Sequence, residues 1–377
     1  MEKEIVIIGA GASGLMAAAR YRERDIALIE GNGEIGAKIR ISGGGRCNIT
    51  NSVLAPKHYL GDRRFIGMIL KRFDQKALLA FLKERGLRPR LQKKHQYFCP
   101  HSSRELLELL QKEIQGVPLF LNRRVRSIEK AKSGFIIRSD RENFIAKKVV
   151  LATGGLSFPK MGATDLAFVT AKHFGIEVKP TAPALVGLTL QRTEFWMKEL
   201  SGISLAVMVE VGDRKIEDQL LFAHRGISGP AILDASLYWS RGEIMIDFLP
   251  HLSHEQIKKV SGSKKQISTI LGVPRRFVKV WLQNVGIKDR PMYRCSKEEI
   301  EKILSLKSYR FAPAGSFGYT KAEVTKGGVA TAEIDPESME AKKVPGLYFL
   351  GEALDVTGRL GGYNFQWAFS SAVALQL

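Results

Sequence analysis

Six residues near the amino terminus, Gly9-Ala10-Gly11-Ala12-Ser13-Gly14, place a GxGxxG turn between a β-branched stretch and one of helical spacing. The first glycine of such a turn permits a tight bend, the second lets a pyrophosphate approach the backbone, and the third lets helix and strand pack closely. A diphosphate then rests on the free N–H groups at the helix start, so Gly9, Gly11, Ala12, Ser13 and Gly14 form the expected cradle. Glu30 ends the next strand, 21 positions after Gly9, where a carboxylate accepts hydrogen bonds from ribose hydroxyls. The chemistry indicated is dinucleotide binding.

Further glycine-rich stretches decide which dinucleotide. VVLATGG ends a buried strand at Thr153, Gly154 and Gly155, and GLYFLGEALDVTGRLGGYNFQWAFSSA reads as strand, acidic turn, glycine turn and helix. A flavin needs polar groups for its ribityl hydroxyls and a helix N-terminus aimed at the pyrimidine end of its ring, where the reduced form carries negative charge. Glu352 with Asp355 meets the first need, and Gly361-Gly362-Tyr363-Asn364 the second. In ISGGGRCNIT, residues Ser42, Gly43, Gly44, Gly45, Arg46, Cys47 and Asn48 read as a wall for the flavin, the glycines sparing the cofactor a collision with Cβ atoms. Lys38 and Arg46 offset negative charge on the diphosphate or the reduced ring. Cys47 reads as a small buried packing residue, against the competing idea of a nucleophile whose pKa Arg46 lowers.

The candidates for substrate chemistry are His224, Arg225 and Ser228 in FAHRGISGP, together with Tyr363. His224 suits acid–base work near neutral pH, with pinning of its loop as the alternative. Gly-Ile-Ser-Gly-Pro before an apolar helical run offers a helix N-terminus for an anionic substrate group.

The elements that must position these residues begin as a βαβ unit: strand over 4–8, helix over 13–24, strand over 26–30. Helices are predicted over 71–85 and 103–115, and strands over 119–129, 134–139 and the run KKVVLATGG. Prolines 180 and 183 mark a change of character; short strands follow over about 188–250 and helices over about 254–306. An α/β domain therefore carries an insertion and closes again near the end of the chain.

At 377 residues the chain suits two or three domains, and no run of about 18 apolar residues occurs, so neither a membrane span nor a membrane partner is expected. The start MEKEIVIIGA lacks a signal-peptide layout, and a cytoplasmic location is expected. Cys47, Cys99 and Cys295 are far apart without a CxxC, which argues against a disulfide framework and gives no metal site. The net charge of +20 attracts nucleic acid, anionic lipid or acidic small molecules. It concentrates in residues 63–96 and 258–294, as solvated helix surface or as a binding patch.

GAGASGL, GAKIRISGGGRCNITN, VVLATGGLSFPKMGAT, LLFAHRGISGPAIL, AEVTKGGV and GLYFLGEALDVTGRLGGYNFQWAFSS follow in this order. Over nearly the whole chain they resemble the BaiN-like and aminoacetone oxidase family of FAD-dependent oxidoreductases. The resemblance implies an α/β fold: a Rossmann-like FAD-binding domain of glutathione-reductase type, with an inserted β-rich domain and a small helical domain. On this sequence the boundaries are 1–187 and 311–377 for the FAD domain, 188–250 for the β-rich one and 251–310 for the helical one.

The resemblance also implies non-covalent FAD, its diphosphate at residues 11–14, its adenosine ribose at Glu30, and Lys38 and residues 42–48 beside it. Val125 matches the adenine-flanking strand, Thr153 and Gly154 the second FAD segment, Gly351, Glu352 and Asp355 the ribityl side, and Gly362, Asn364 and Gln366 the ring turn. Departures at Gly162-Ala163-Thr164-Asp165-Leu166 and Phe98-Cys99-Pro100-His101-Ser102 touch the substrate pocket rather than the cofactor.

With no second GxGxxG and no CxxC, a pyridine-nucleotide disulfide reductase is not expected, and NAD(P)H enters only as a transient reductant. The expected activity is hydride transfer between flavin and a small organic substrate, with the acceptor or donor open. The alternative is an FAD-containing RNA-modifying protein that binds tRNA through its basic surface, and a third reading is a flavin binder of little activity.

Overall fold

The computed structural model describes residues 1–93 and 95–377, which divide into two compact units, Met1–Pro183 with Val324–Leu377, and Ala184–Glu323. In the first unit, the strand Glu2–Ile8 is continuously apolar and buried from Ile5 onward, as a strand covered on both faces must be. It pairs in parallel with Ile26–Ile29 on one side and Asn143–Leu151 on the other, and Asn143–Leu151 pairs in parallel with Leu347–Phe349. Leu119–Phe120 extends the sheet beyond Ile26–Ile29, and the antiparallel strands Gly134–Ser139 and Val125–Ala131 complete its seven. The helices Ala12–Arg20 and Tyr363–Ala374 pack on one another within this unit's core.

The continuous helix expected over 71–85 is instead two, Arg63–Arg72 and Gln75–Glu84. Phe73 leaves helical geometry (φ −152°, ψ 84°), and the Asp74 carboxylate accepts the Ala77 N–H at 2.9 Å, capping the second helix. The apolar spacing runs through the break unchanged, so periodicity alone hides it.

The second unit is built on another seven-stranded sheet, in which Ser204–Val211 and Arg214–Ala223 form a hairpin over eight residue pairs. The stretch expected as short strands also contains the helix Pro230–Tyr238. The helices His254–Lys259, Arg275–Asn284 and Lys297–Leu304 bury Ile257, Phe277, Trp281 and Ile303 in the core that the sheet fills with Val207, Phe222 and Ile246. No helix among the described residues is long and apolar enough to cross a membrane.

Candidate functional site

Parallel register brings the predicted cofactor segments to one edge of the first unit's sheet. Ile8 lies beside Leu151 and Ile29, and Leu151 beside Phe349, so Gly9, Glu30, Thr153 and Gly351 all follow the carboxyl ends of neighbouring strands. Ligands of open α/β sheets bind at this edge.

Each glycine of the first turn has its own reason. Gly9 has φ +101°, and a Cβ there would lie 2.5 Å from the Ala152 carbonyl oxygen; a Cβ on Gly14 would lie 1.8 Å from that of Gly9. Gly11 meets nothing within 4 Å, so the fold leaves open space where the diphosphate is expected. Glu30 is fixed at the lip of this space, its two carboxylate oxygens accepting the N–H groups of Ala10 (2.8 Å) and Asn32 (2.9 Å). The Glu30 carbonyl accepts the Arg123 N–H at 2.9 Å, which holds the chain entering the strand at Val125 beside it.

In the segment expected to meet the ribityl chain, Glu352 accepts Lys38 Nζ at 2.7 Å and the Thr325 N–H at 2.8 Å. Thr325 Oγ1 in turn accepts the Leu156 N–H at 2.8 Å. Gly155 must be bare because a Cβ would stand 2.6 Å from Thr325 Oγ1 and 2.8 Å from Glu352 Oε1. Asp355 differs from Glu352: its charged neighbours are Lys179 and Glu177, and burial pushes its carboxyl above the usual range.

The motifs GAKIRISGGGRCNITN and GLYFLGEALDVTGRLGGYNFQWAFSS meet in one construction. The strand Asn48–Asn51 meets the turn before the last helix: Thr50 Oγ1 donates to Gln366 Oε1 at 2.5 Å and Asn51 Nδ2 donates to the Gly361 carbonyl at 3.0 Å. Gly362 (φ +89°) is pressed so close that a Cβ would lie 2.6 Å from the Thr50 carbonyl. Asn364 closes the turn on itself, its side chain accepting the Gly358 N–H (2.8 Å) and donating to the Gly358 carbonyl (2.9 Å). Gln366 is fully buried and also donates to Phe73 O and Ser370 Oγ, each at 3.0 Å. Both side chains hold the turn at residues 361–364.

The glycine run answers to its own backbone. Gly43, Gly44 and Gly45 are all left-handed (φ +56°, +67° and +83°), and a Cβ on Gly44 would meet nothing within 4 Å. The left-handed backbone by itself calls for glycine at position 44, and the open space beside it, like that at Gly11, leaves room for a ligand. Cys47 lies beneath this turn, fully buried, and burial pushes its thiol well above the ordinary range, so it is no thiolate.

Tyr363 is largely buried, and its hydroxyl donates to the Val53 carbonyl at 3.0 Å. His58, which no sequence pattern marked, packs on it with ring centroids 5.0 Å apart. Burial first, then the charges of Arg359 and Lys57, lower the His58 pKa, so its imidazole is neutral at pH 7.

His224 and Ser228 belong to the second unit. His224 is exposed at the turn between Arg214–Ala223 and Gly226–Ser228, and Ser228 pairs with Leu221 in the same hairpin. The Arg225 guanidinium stands 5.5 Å from the Phe317 ring centroid. Gly229 and Pro230 then open the helix Pro230–Tyr238, as the sequence signal indicated.

A profile described as HI0933-like protein Rossmann domain matches residues 3–376. The chain belongs to this HI0933-like family. Its FAD-dependent oxidoreductase character, expected from the motifs, follows from that membership. Among relatives of the HI0933-like chain, a protein of Haemophilus influenzae named ribosomal RNA dihydrouridine synthase is 38% identical, covering 99% of this chain and 98% of its own. An Escherichia coli protein of the same name is 37% identical over 98% and 96% of the two chains. A Clostridium scindens 3-dehydro-bile acid delta(4,6)-reductase is 29% identical over 97% and 96%. The fold is also that of 3-ketosteroid-delta4-(5alpha)-dehydrogenase from Rhodococcus jostii RHA1, with TM-score 0.51 and 12% identity over 100% of this chain and 97% of that one.

The residues present in this HI0933-like chain fit a flavin dinucleotide. Besides the open space at Gly11, two buried side-chain acceptors, Thr153 Oγ1 and Asn48 Oδ1, have no hydrogen-bond partner among the described residues. Thr153 follows the carboxyl end of the strand Asn143–Leu151 and Asn48 lies against Gly362, and buried polar atoms left unpaired are costly unless a ligand satisfies them. Thr153→Val keeps the shape and removes the orphan hydroxyl. It is expected to raise the stability of the FAD-free protein by about 1 kcal/mol while weakening FAD about tenfold, measured by urea unfolding and flavin-fluorescence titration.

Lys326, next to Thr325 on the strand Val324–Val329, is largely buried, and burial lowers its pKa from 10.5 to about 8. Below pH 8 both folded and unfolded chains carry this proton, and the folded state bears a constant penalty. Between pH 8 and 10.5 the unfolded chain holds more of it, so this group's contribution to stability rises with pH. Lys326→Met is expected to be more stable than the parent by about 1–2 kcal/mol at pH 7, allowing for solvent screening, with the difference shrinking from pH 8 upward in paired urea melts.

Proposed function

We propose that this oxidoreductase reduces a carbon–carbon double bond conjugated with a carbonyl, and that its substrate is a uridine in ribosomal RNA. The observation that carries the reading is the end-to-end likeness, at 38% and 37% identity, to two proteins named ribosomal RNA dihydrouridine synthase. The net charge of +20 supports it, since a polyanion is the partner such a field attracts. The 29%-identical bile-acid reductase supports the same bond chemistry: a Δ4,6 double-bond system beside a 3-keto group and the C5=C6 bond of uracil are both conjugated with a carbonyl.

FAD, held non-covalently, would supply the hydride, with NAD(P)H as the transient source of electrons. Reduction then adds a hydride to uracil C6 and a proton to C5, and NAD(P)H is oxidised. The protein's share is to fix the dinucleotide between the turn at residues 9–14 and the turn at 361–364, with Lys38 and Glu352 on its ribityl side. Gln366, Asn364 and Asn51 keep the second turn in place. Gly362 opens the helix Tyr363–Ala374 there, and its free N–H groups stabilise negative charge.

The test is anaerobic incubation of the FAD-loaded protein and NADH or NADPH with a uridine-containing ribosomal RNA transcript. Nuclease digestion and mass spectrometry should show nucleosides that have gained two hydrogens. The bile-acid likeness favours a second reading, a small conjugated enone as substrate. Flavin reoxidation by a steroid dienone with no dihydrouridine formed in any RNA would establish that reading and defeat the first.

A further inference from the structure

We propose that the helical part of the second unit carries an RNA-docking platform centred on Tyr293. This rests on the RNA reading above and adds to it where the RNA is held. Residues 258–294 contain ten Lys and Arg against a single acid, Asp289, a net +9, whereas the rest of Ala184–Glu323 holds eleven against fourteen, a net −3. The excess is therefore local, which a generally basic composition does not produce.

The fold then gathers these cations around an aromatic ring. Residues 263–267 and 290–293 run side by side: the Ile267 N–H donates to the Arg290 carbonyl (3.1 Å), the Met292 N–H to that of Lys265 (3.0 Å) and the Tyr293 N–H to that of Ser263 (3.1 Å). Lys264 and Lys265 thereby flank Tyr293 and Arg294, and the helix His254–Lys259 ends in two more lysines just before them. Tyr293 is 49% exposed, so its ring is open to solvent beside these cations. Arg294 lies against it, guanidinium 5.5 Å from the ring centroid, with Nε donating to the Tyr293 hydroxyl at 2.9 Å.

The carboxylates that would neutralise this surface are used elsewhere. Asp289 accepts the Ser268 N–H (3.0 Å) and Oγ–H (2.6 Å), and Glu299 is held by Arg290 and the Ser296 N–H. Among the described residues, Lys258, Lys259, Lys264, Lys265 and Arg294 have no ion-pair partner. Unpaired cations that follow a phosphate backbone, interleaved with an exposed ring on which an unstacked base can lie, are what recognition of single-stranded RNA requires. A lipid surface needs the cations but gives the ring no base to hold.

The FAD-loaded protein should bind a single-stranded ribosomal RNA fragment in fluorescence anisotropy, with log affinity falling linearly against log KCl. The triple variant Lys264→Ala, Lys265→Ala, Arg294→Ala should lose at least about 100-fold in affinity and about two from the magnitude of that slope. Tyr293→Ala should lose about tenfold with the slope unchanged. These positions are exposed and remote in sequence from the flavin motifs, so flavin absorbance and thermal midpoint should stay at parental values. Parent and variants binding RNA equally would overturn the platform and leave the RNA reading standing, whereas a parent that binds no RNA would overturn both. Phosphatidylserine vesicles competing with RNA for the same residues at equal affinity would overturn RNA as the occupant.

Discussion

Gly11→Val is expected to yield a folded protein without its cofactor. Gly11 has extended geometry (φ −83°, ψ −168°), open to any residue, and a Cβ there has no neighbour within 4 Å. The FAD-free fold should therefore lose no more than about 1 kcal/mol. The added methyl groups, however, occupy the space through which a diphosphate reaches the start of the helix Ala12–Arg20. FAD affinity should fall at least about 100-fold, close to 3 kcal/mol, and the purified protein should be colourless where the parent is yellow. Circular dichroism melts report the fold and the absorbance near the flavin bands reports the cofactor. A yellow Gly11→Val protein with one FAD per chain would show that the diphosphate lies elsewhere.

Gly14→Ala, three residues away in the same motif, is expected to fail differently. Its Cβ would come within 1.8 Å of the Gly9 carbonyl oxygen, a backbone atom with no freedom to retreat, because Gly9 itself is wedged against Ala152. The helix would have to lift from the turn, opening a core in which Leu15, Met16 and Ala17 are buried. The loss should be on the order of 4 kcal/mol or more, read as a lowered urea midpoint or insoluble expression even with excess FAD. One motif thus separates into a position that serves the ligand and a position that serves the fold. Rescue of Gly14→Ala by added FAD alone would contradict that division.

How much of this was legible in the sequence depended on how local its cause is. The strand–turn–helix at residues 2–20 could be read because turn chemistry and apolar runs act between neighbours in the chain. The break at Phe73 could not, since an Asp cap interrupts the helix without disturbing the spacing of Leu70, Leu78 and Leu82. The number of glycines at 43–45 is plain in the sequence, but the left-handed φ values that each of them adopts are not, since they follow from how the turn is folded. Asp355 and Glu352 look alike on paper and differ in their surroundings, one facing Lys179 and Glu177, the other bonded to Lys38. His58 carried no signal at all: only tertiary packing places it on Tyr363 and lowers its pKa. Its usable signal would have been a histidine next to a tyrosine that pairs with the end of the chain, and pairing is not visible in one sequence.

The bonds from Thr50 to Gln366 and from Asn51 to Gly361 join residues 316 and 310 positions apart. During synthesis the early partners leave the ribosome long before the late ones exist, and Ala184–Glu323 is made in between. A chain stopped short of residue 361 would have the turn at residues 9–14 but lack the turn to which Thr50 and Asn51 bond. The two turns proposed to hold FAD can therefore be brought together only once residues 361–366 have been made, after the inserted unit has had its chance to fold.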